Sequence, residues 1–203
     1  MKKALDHLRA ADPVIARLID QYPRPRRQGQ RDPYADLLHA VMSQQISVKA
    51  ADKIIARFMD QFPDRNPDPA RLVVMTDDQL RSVGVSRQKA GYLKNIAAFA
   101  LEHGLDHAVL NAMTDEEVIA HLTRIKGVGR WTVEMLLMFT LGRPDVFPVD
   151  DLGIQNTMIR LYRLRSKGRR LRERMKKLSQ PWKPYRTLAC LYLWMPGDAT
   201  PEV

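Results

Sequence analysis

Apolar residues recur every three or four positions along almost the whole chain, and no run alternates between apolar and polar for long enough to compel a strand. That period fits helices with one buried stripe and argues against a sheet-based core. Leu5, Leu8, Ile15, Leu18 and Ile19 mark a first amphipathic segment, ended by Tyr22-Pro23-Arg24-Pro25. Residues 23 to 31, basic and bearing proline and glycine, read as a linker. A longer helix is predicted over residues 33 to 61 with a break at Ser43-Gln44-Gln45, and Pro63, Pro67 and Pro69 close it. Thr76 with Gln79 and Thr114 with Glu117 form capping boxes, in which hydroxyl and amide or carboxylate each satisfy an orphan N–H at a helix start. Between them Gly84 precedes a helix over residues 86 to 103, which Gly104 ends. Further helices are expected over 130 to 141, 151 to 164, 169 to 178 and 185 to 194. The reading is an all-α chain of roughly ten short helices.

A length of 203 residues suits one or two domains. The 33 basic and 23 acidic residues leave a net charge of +10, which points to a polyanionic partner, most often nucleic acid. Between Arg160 and Lys177 the basic residues are opposed by Glu173 alone. Such a run is either a solvated face or, taken together, a source of sequence-independent DNA affinity through counterion release. The one cysteine, Cys190, excludes an internal disulfide, a thiolate cage for zinc and a four-thiolate iron-sulfur cluster. His103 and His107 are four apart, but Gly104 interrupts the helix and no third ligand is near, which disfavours zinc. The N-terminus has no apolar signal-peptide core, and the most apolar segment, residues 131 to 141, is far short of the roughly 20 residues that span a bilayer. A cytoplasmic, nucleoid-associated protein with no membrane contact is expected.

Leu122 through Glu134 carry the strongest local signal. A capped helix runs into Gly127-Val128-Gly129 and a second apolar helix begins at once, so the turn is a short hairpin between helices. Glycines let the backbone approach a ligand closely, and the new helix start aims N–H groups at an anion. Packing of two helices would explain the glycines alone. Lys126 and Arg130 on either side tip the reading toward a phosphate.

At these residues the chain resembles the helix-hairpin-helix (HhH-GPD) DNA glycosylases. Their hairpin is followed by a loop and an aspartate, here Val146-Phe147-Pro148-Val149-Asp150-Asp151-Leu152-Gly153-Ile154. The likeness is to the DNA-3-methyladenine glycosylase II, or AlkA-type, branch. It extends through Pro33-Tyr34 with Ser43-Gln44-Gln45-Ile46-Ser47, Gly84 to Ala90, Trp182-Lys183-Pro184-Tyr185-Arg186, and Leu193-Trp194. The resemblance implies a two-lobed helical fold without an iron-sulfur cluster. One lobe comprises residues 1 to 32 and 151 to 203; the other, 33 to 150, carries the hairpin at 122 to 134, with a cleft between them. It leaves no room before Pro33 for the β-rich N-terminal domain of longer relatives.

Two aspartates at a helix start ordinarily cap it and feel the positive end of its dipole. The resemblance implies more for Asp151: the family's catalytic aspartate precedes x-x-Ile, which fits Leu152, Gly153 and Ile154 and leaves Asp150 as neighbour and cap. The implied activity is monofunctional hydrolysis of the N-glycosidic bond of alkylated bases such as 3-methyladenine and 7-methylguanine, after flipping them from duplex DNA, leaving an abasic site. Relatives that also cut the backbone carry a lysine where this chain has Trp131. Trp131 and Trp194 are then expected to line the base pocket, although both also suit plain packing; Trp182 reads as structural. The family's wedge position falls on Gln45, a polar departure, which otherwise reads as a helix-terminal polar residue. The hairpin Lys126, Gly127, Val128, Gly129 and Arg130 would bind phosphate. No cofactor is required, although the resemblance implies a site for a structural sodium or potassium ion on the carbonyls of Thr123, Ile125 and Val128. The expected partner is duplex DNA with alkylated bases, bound by a monomer. Two other functions fit part of the pattern: a noncatalytic helix-hairpin-helix DNA-binding module, and a glycosylase for oxidised or mismatched bases.

Overall fold

Asp12 and Pro13 decide where the chain first turns. Helix α1 spans Lys2–Ala11 and α2 spans Pro13–Gln21, so the single segment expected here is two helices. Asp12 is extended, and its Oδ1 accepts the N–H groups of Val14 and Ile15 at 2.8 and 3.2 Å. Pro13 follows in the first turn, where its missing N–H costs nothing.

The computed structural model describes residues 1–25 and 31–196, so most of the expected linker, residues 26–30, lies outside the described residues. These residues divide into two units, 1–25 with 142–196, and 31–141. In the second unit, α3 (Pro33–Ser43) and α4 (Val48–Met59) are separated where the sequence placed a break, by a turn at residues 44–47. Then come α5 (Pro69–Val74), α6 (Asp77–Ser82), α7 (Arg87–His103), α8 (His107–Asn111), α9 (Asp115–Leu122) and α10 (Arg130–Met135). Both capping boxes form, on α6 and α9. Helix α7 is the centre of this unit, with α3, α5 and α6 packed around it. Its Leu93 and Ile96 are fully buried, each contributing about 1.5 to 3 kcal/mol of apolar transfer.

The helix expected over 130 to 141 widens after Met135. Leu136–Thr140 is a π turn, closed by the Leu141 N–H on the Leu136 carbonyl at 3.0 Å. Within it, Thr140 Oγ1 donates to Asp36 Oδ2 of α3 at 2.6 Å.

The first unit resumes at residue 142 and contains α11 (Leu152–Leu161), α12 (Gly168–Leu178) and α13 (Arg186–Trp194). Residues 142–150, expected with the hairpin lobe, are tied to α13. Thr187 Oγ1 donates to the Arg143 carbonyl at 2.7 Å and accepts from Val146 N–H at 3.0 Å, while Arg186 pairs with Asp145 at 2.7 Å. Helix α13 packs on α2 and α11 and buries Cys190 completely. Trp182, buried as expected of a structural residue, donates its Nε1–H to Asp12 Oδ2 at 2.9 Å, beside the Tyr162 hydroxyl at 2.8 Å. All regular structure among the described residues is helical, and none of those helices is long and apolar enough to cross a membrane. The α-helices among the described residues number thirteen instead of about ten, because the first segment is split at Asp12 and α5 and α8 are too short for periodicity to resolve.

Candidate active site and nucleic-acid interface

Asp151 is the residue on which α11 begins. Its Oδ1 accepts the Ile154 N–H at 2.8 Å and the Trp194 indole N–H at 2.9 Å, and the residue is 5% exposed. One oxygen thus receives a main-chain donor from its own helix and a side-chain donor from α13, which fixes the carboxylate's rotamer from two directions. Gly153 permits this approach: a Cβ there would lie 3.1 Å from Trp194 Cδ1 and 3.2 Å from Asp151 Oδ1. Leu152, the first helical residue, stands 72% exposed beside the buried carboxylate.

The neighbouring aspartate has another role from the one expected. Asp150 does not cap the helix; Asp151 does, and Asp150 forms an ion pair with Arg172 of α12. The acid adjacent to Asp151 therefore carries its own counter-charge, drawn from the basic run. Trp194 is 1% exposed and holds Asp151, whereas Trp131, at the start of α10, is 40% exposed and belongs to the other unit.

The hairpin is built by α9, α10 and the turn between them. Ile125 N–H bonds to the Leu122 carbonyl at 3.1 Å, Val128 N–H to the Ile125 carbonyl at 3.0 Å, and Val133 N–H to the Gly129 carbonyl at 3.2 Å. Gly127 has φ +108°, and a Cβ on it would come within 2.3 Å of Tyr92 Cγ. Gly129 has an ordinary φ of −94° and nothing within 4 Å of a Cβ. Helix α7 braces the turn twice, through Tyr92 and through Asn95, which donates to the Lys126 carbonyl at 3.1 Å. Lys126 is exposed and Val128 buried. Arg130 differs from the simple phosphate donor expected, because its guanidinium bonds Glu116 at 2.7 Å and Glu134 at 3.0 Å. Of the three carbonyls that the resemblance implies for a monovalent cation, that of Ile125 accepts the Val128 N–H.

At the end of α3, Gln45 is exposed on the turn at 44–47 with a left-handed φ of 58°. The ammonium of Lys89, in the first turn of α7, donates to the carbonyls of Met42 and Gln44, both at 2.7 Å. Burial holds that lysine below its ordinary range. An open hollow of about 420 Å³ runs from Gln44, Gln45 and Ile46 past Gln88 and Lys89 to Tyr92 and Gly127. The turn at 44–47 and the hairpin thus border one surface of the second unit.

The model of the HhH-GPD superfamily of base excision DNA repair proteins matches residues 38–184. The chain belongs to the HhH-GPD superfamily. Among its relatives, a protein described as DNA-3-methyladenine glycosylase 1 of Schizosaccharomyces pombe is 38% identical over 200 residues, covering 96% of this chain and 86% of the relative. The solved 3-methyladenine DNA glycosylase of that yeast, in complex with abasic DNA, superposes with a TM-score of 0.83 at 37% identity, over 98% of each chain. A DNA-3-methyladenine glycosidase from Bacillus halodurans gives a TM-score of 0.84 at 32% identity, over 94% of this chain and 87% of that one.

Two residues of this HhH-GPD site escaped the sequence reading. Lys89 did carry a signal, since a cation in the first turn of a helix opposes the dipole and has to be held by something else. Arg172 carried none: inside a basic run nothing marks the one member that pairs with Asp150.

Proposed function

We propose that this HhH-GPD protein is a monofunctional DNA glycosylase that removes 3-methyladenine, 7-methylguanine and related alkylated bases from duplex DNA. The reading rests on the placement of Asp151, buried and fixed through one oxygen by Ile154 and Trp194. The family and the relatives described as 3-methyladenine glycosylases support it. In this mechanism the bond between C1′ of the sugar and the base nitrogen breaks, and both electrons go to the cationic purine, which departs neutral. Positive charge builds on the sugar, and the preorganised carboxylate of Asp151 opposes it. Water then adds at C1′ and loses a proton to solvent, leaving an abasic site.

Lys126 and the turn at Gly127-Val128-Gly129 hold the DNA backbone, Gln45 enters the space of the displaced base, and the exposed ring of Trp131 stacks on the base being removed. A monovalent cation on the carbonyls of Thr123, Ile125 and Val128 would add positive charge for a phosphate to meet. Trp131 leaves no amine at the position from which lyase-competent relatives form a Schiff base.

The test is a panel of duplexes, each with one defined lesion, scored separately for base release and strand cleavage. Release of alkylpurines with breaks only after alkali is the expected result, and borohydride should trap no protein-DNA adduct. Binding without base release would make the chain a noncatalytic module. Release of oxidised or mismatched bases alone would move it to that class of glycosylase.

A further inference from the structure

We infer that Lys89 is a positioning residue that sets the shape of the turn at 44–47, and through it the point from which Gln45 enters the duplex. The inference rests on the wedge reading of Gln45. Helix α3 ends weakly here: Gln44 leaves the helix with ψ 132° and its N–H reaches the Val41 carbonyl at 3.4 Å. The carbonyls of a last turn lack partners within their own helix and carry the negative end of its dipole. Lys89 supplies the partner from 47 and 45 residues away, using two of its three donors on Met42 and Gln44 at 2.7 Å each. Gln45 lies directly beyond this clamp in a left-handed conformation that non-glycine residues keep only where the surroundings over-determine it.

The lysine's own position argues that the clamp serves more than helix capping. It enters from the first turn of α7, which is the helix that braces the hairpin through Tyr92 and Asn95. Three side chains on one helix, Lys89, Tyr92 and Asn95, therefore fix the wedge turn and the phosphate-binding turn relative to each other across the shared hollow. A turn held by water instead would leave Gln45 with several directions of approach, and the cost would appear only when a partner base must be displaced.

The experiment uses the intact chain and two duplexes. One has 7-methylguanine paired with cytosine; the other has the same lesion opposite a tetrahydrofuran abasic analogue, where no pairing must be broken. Single-turnover excision at saturating enzyme is measured for the parent, Lys89→Met, Lys89→Arg, Gln45→Ala and the Lys89→Met/Gln45→Ala double variant, with melting temperatures alongside. Lys89→Met should lose about tenfold or more on the paired duplex and less than about twofold on the other, and the double variant should match Gln45→Ala because both act through one element. Lys89→Arg, which still donates to carbonyls, should lose less than Lys89→Met on the paired duplex. If Lys89→Met melts below the assay temperature, Lys89→Gln, which removes the charge and shortens the reach, is read in its place, and a loss confined to the paired duplex again supports the inference.

Equal slowing on both duplexes, no slowing on either, or additivity with Gln45→Ala overturns the inference while leaving the wedge intact, provided Gln45→Ala itself shows the duplex-dependent loss. If Gln45→Ala matches the parent on both duplexes, the wedge reading has failed and the role of Lys89 falls with it.

Discussion

Oδ1 of Asp151 takes both the Ile154 N–H and the Trp194 indole, so an asparagine whose carbonyl oxygen sits in the same place keeps both of these bonds while losing the charge. Asp151→Asn should therefore melt close to the parent and bind DNA with similar affinity, while single-turnover excision falls on the order of 10²- to 10³-fold, the usual cost of removing one preorganised electrostatic group. Trp194→Phe does the converse. It keeps the charge and removes the indole donor from a buried acceptor, so a stability loss of about 1.5 to 3 kcal/mol by chemical denaturation should accompany a smaller drop in excision rate. If Asp150→Asn proved to be the inactive variant and Asp151→Asn the active one, the catalytic role would belong to the carboxylate now paired with Arg172.

The two hairpin glycines, alike in sequence, separate at the scale of the element. Gly127→Ala places a methyl against Tyr92 in a left-handed backbone, and the hairpin should lose stability and DNA affinity together. Gly129→Ala meets nothing, so its melting temperature should stay at the parent value and any loss of affinity for damaged and undamaged duplex alike reports backbone contact with phosphate. Titration by electrophoretic mobility shift, beside thermal melts, distinguishes the two. Helix α9 contributes a pH dependence. Burial first, then the neighbouring His103 and Arg124, hold His121 below its ordinary value of 6.5, and its Nε2 has no hydrogen-bond partner among the described residues. The unfolded chain takes up the proton before the folded one, so stability contributed by the neutral ring is lost as pH falls through 6.5 toward the folded value. His121→Gln should narrow the difference in urea midpoint between about pH 7.5 and pH 5.5 relative to the parent. Elements of this kind were legible in the sequence where their cause is local. The boxes at Thr76 and Thr114, the end of α7 at Gly104 and the break after Ser43 depend on neighbours within a few residues. Asp12 with Trp182, Lys89 with Met42, and Asp150 with Arg172 are partnerships across tens of residues or more, which neither period nor spacing encodes.

Across the whole molecule the net charge of +10 is spread unevenly, with α12 exposing Arg170, Arg174 and Lys177. If these touch phosphates, replacing all three by serine should lower the slope of log affinity against log salt by about 0.9 for each phosphate no longer neutralised, measured on undamaged duplex. An unchanged slope would make α12 a solvated face. The all-helical fold and the hairpin could be read from periodicity and glycine placement, while the division at 141 and 142 could not, because it depends on Thr187 and Arg186 fastening residues 143 to 146. Cys190, on α13, is fully buried. A protein that works where methylating electrophiles are abundant is exposed to the same reagents as its substrate, and thiolates are among the most readily alkylated groups a protein offers. With its single thiol fully buried, this chain presents no accessible thiol to such a reagent, and a cysteine placed at an exposed position would be the one site a maleimide dye could reach.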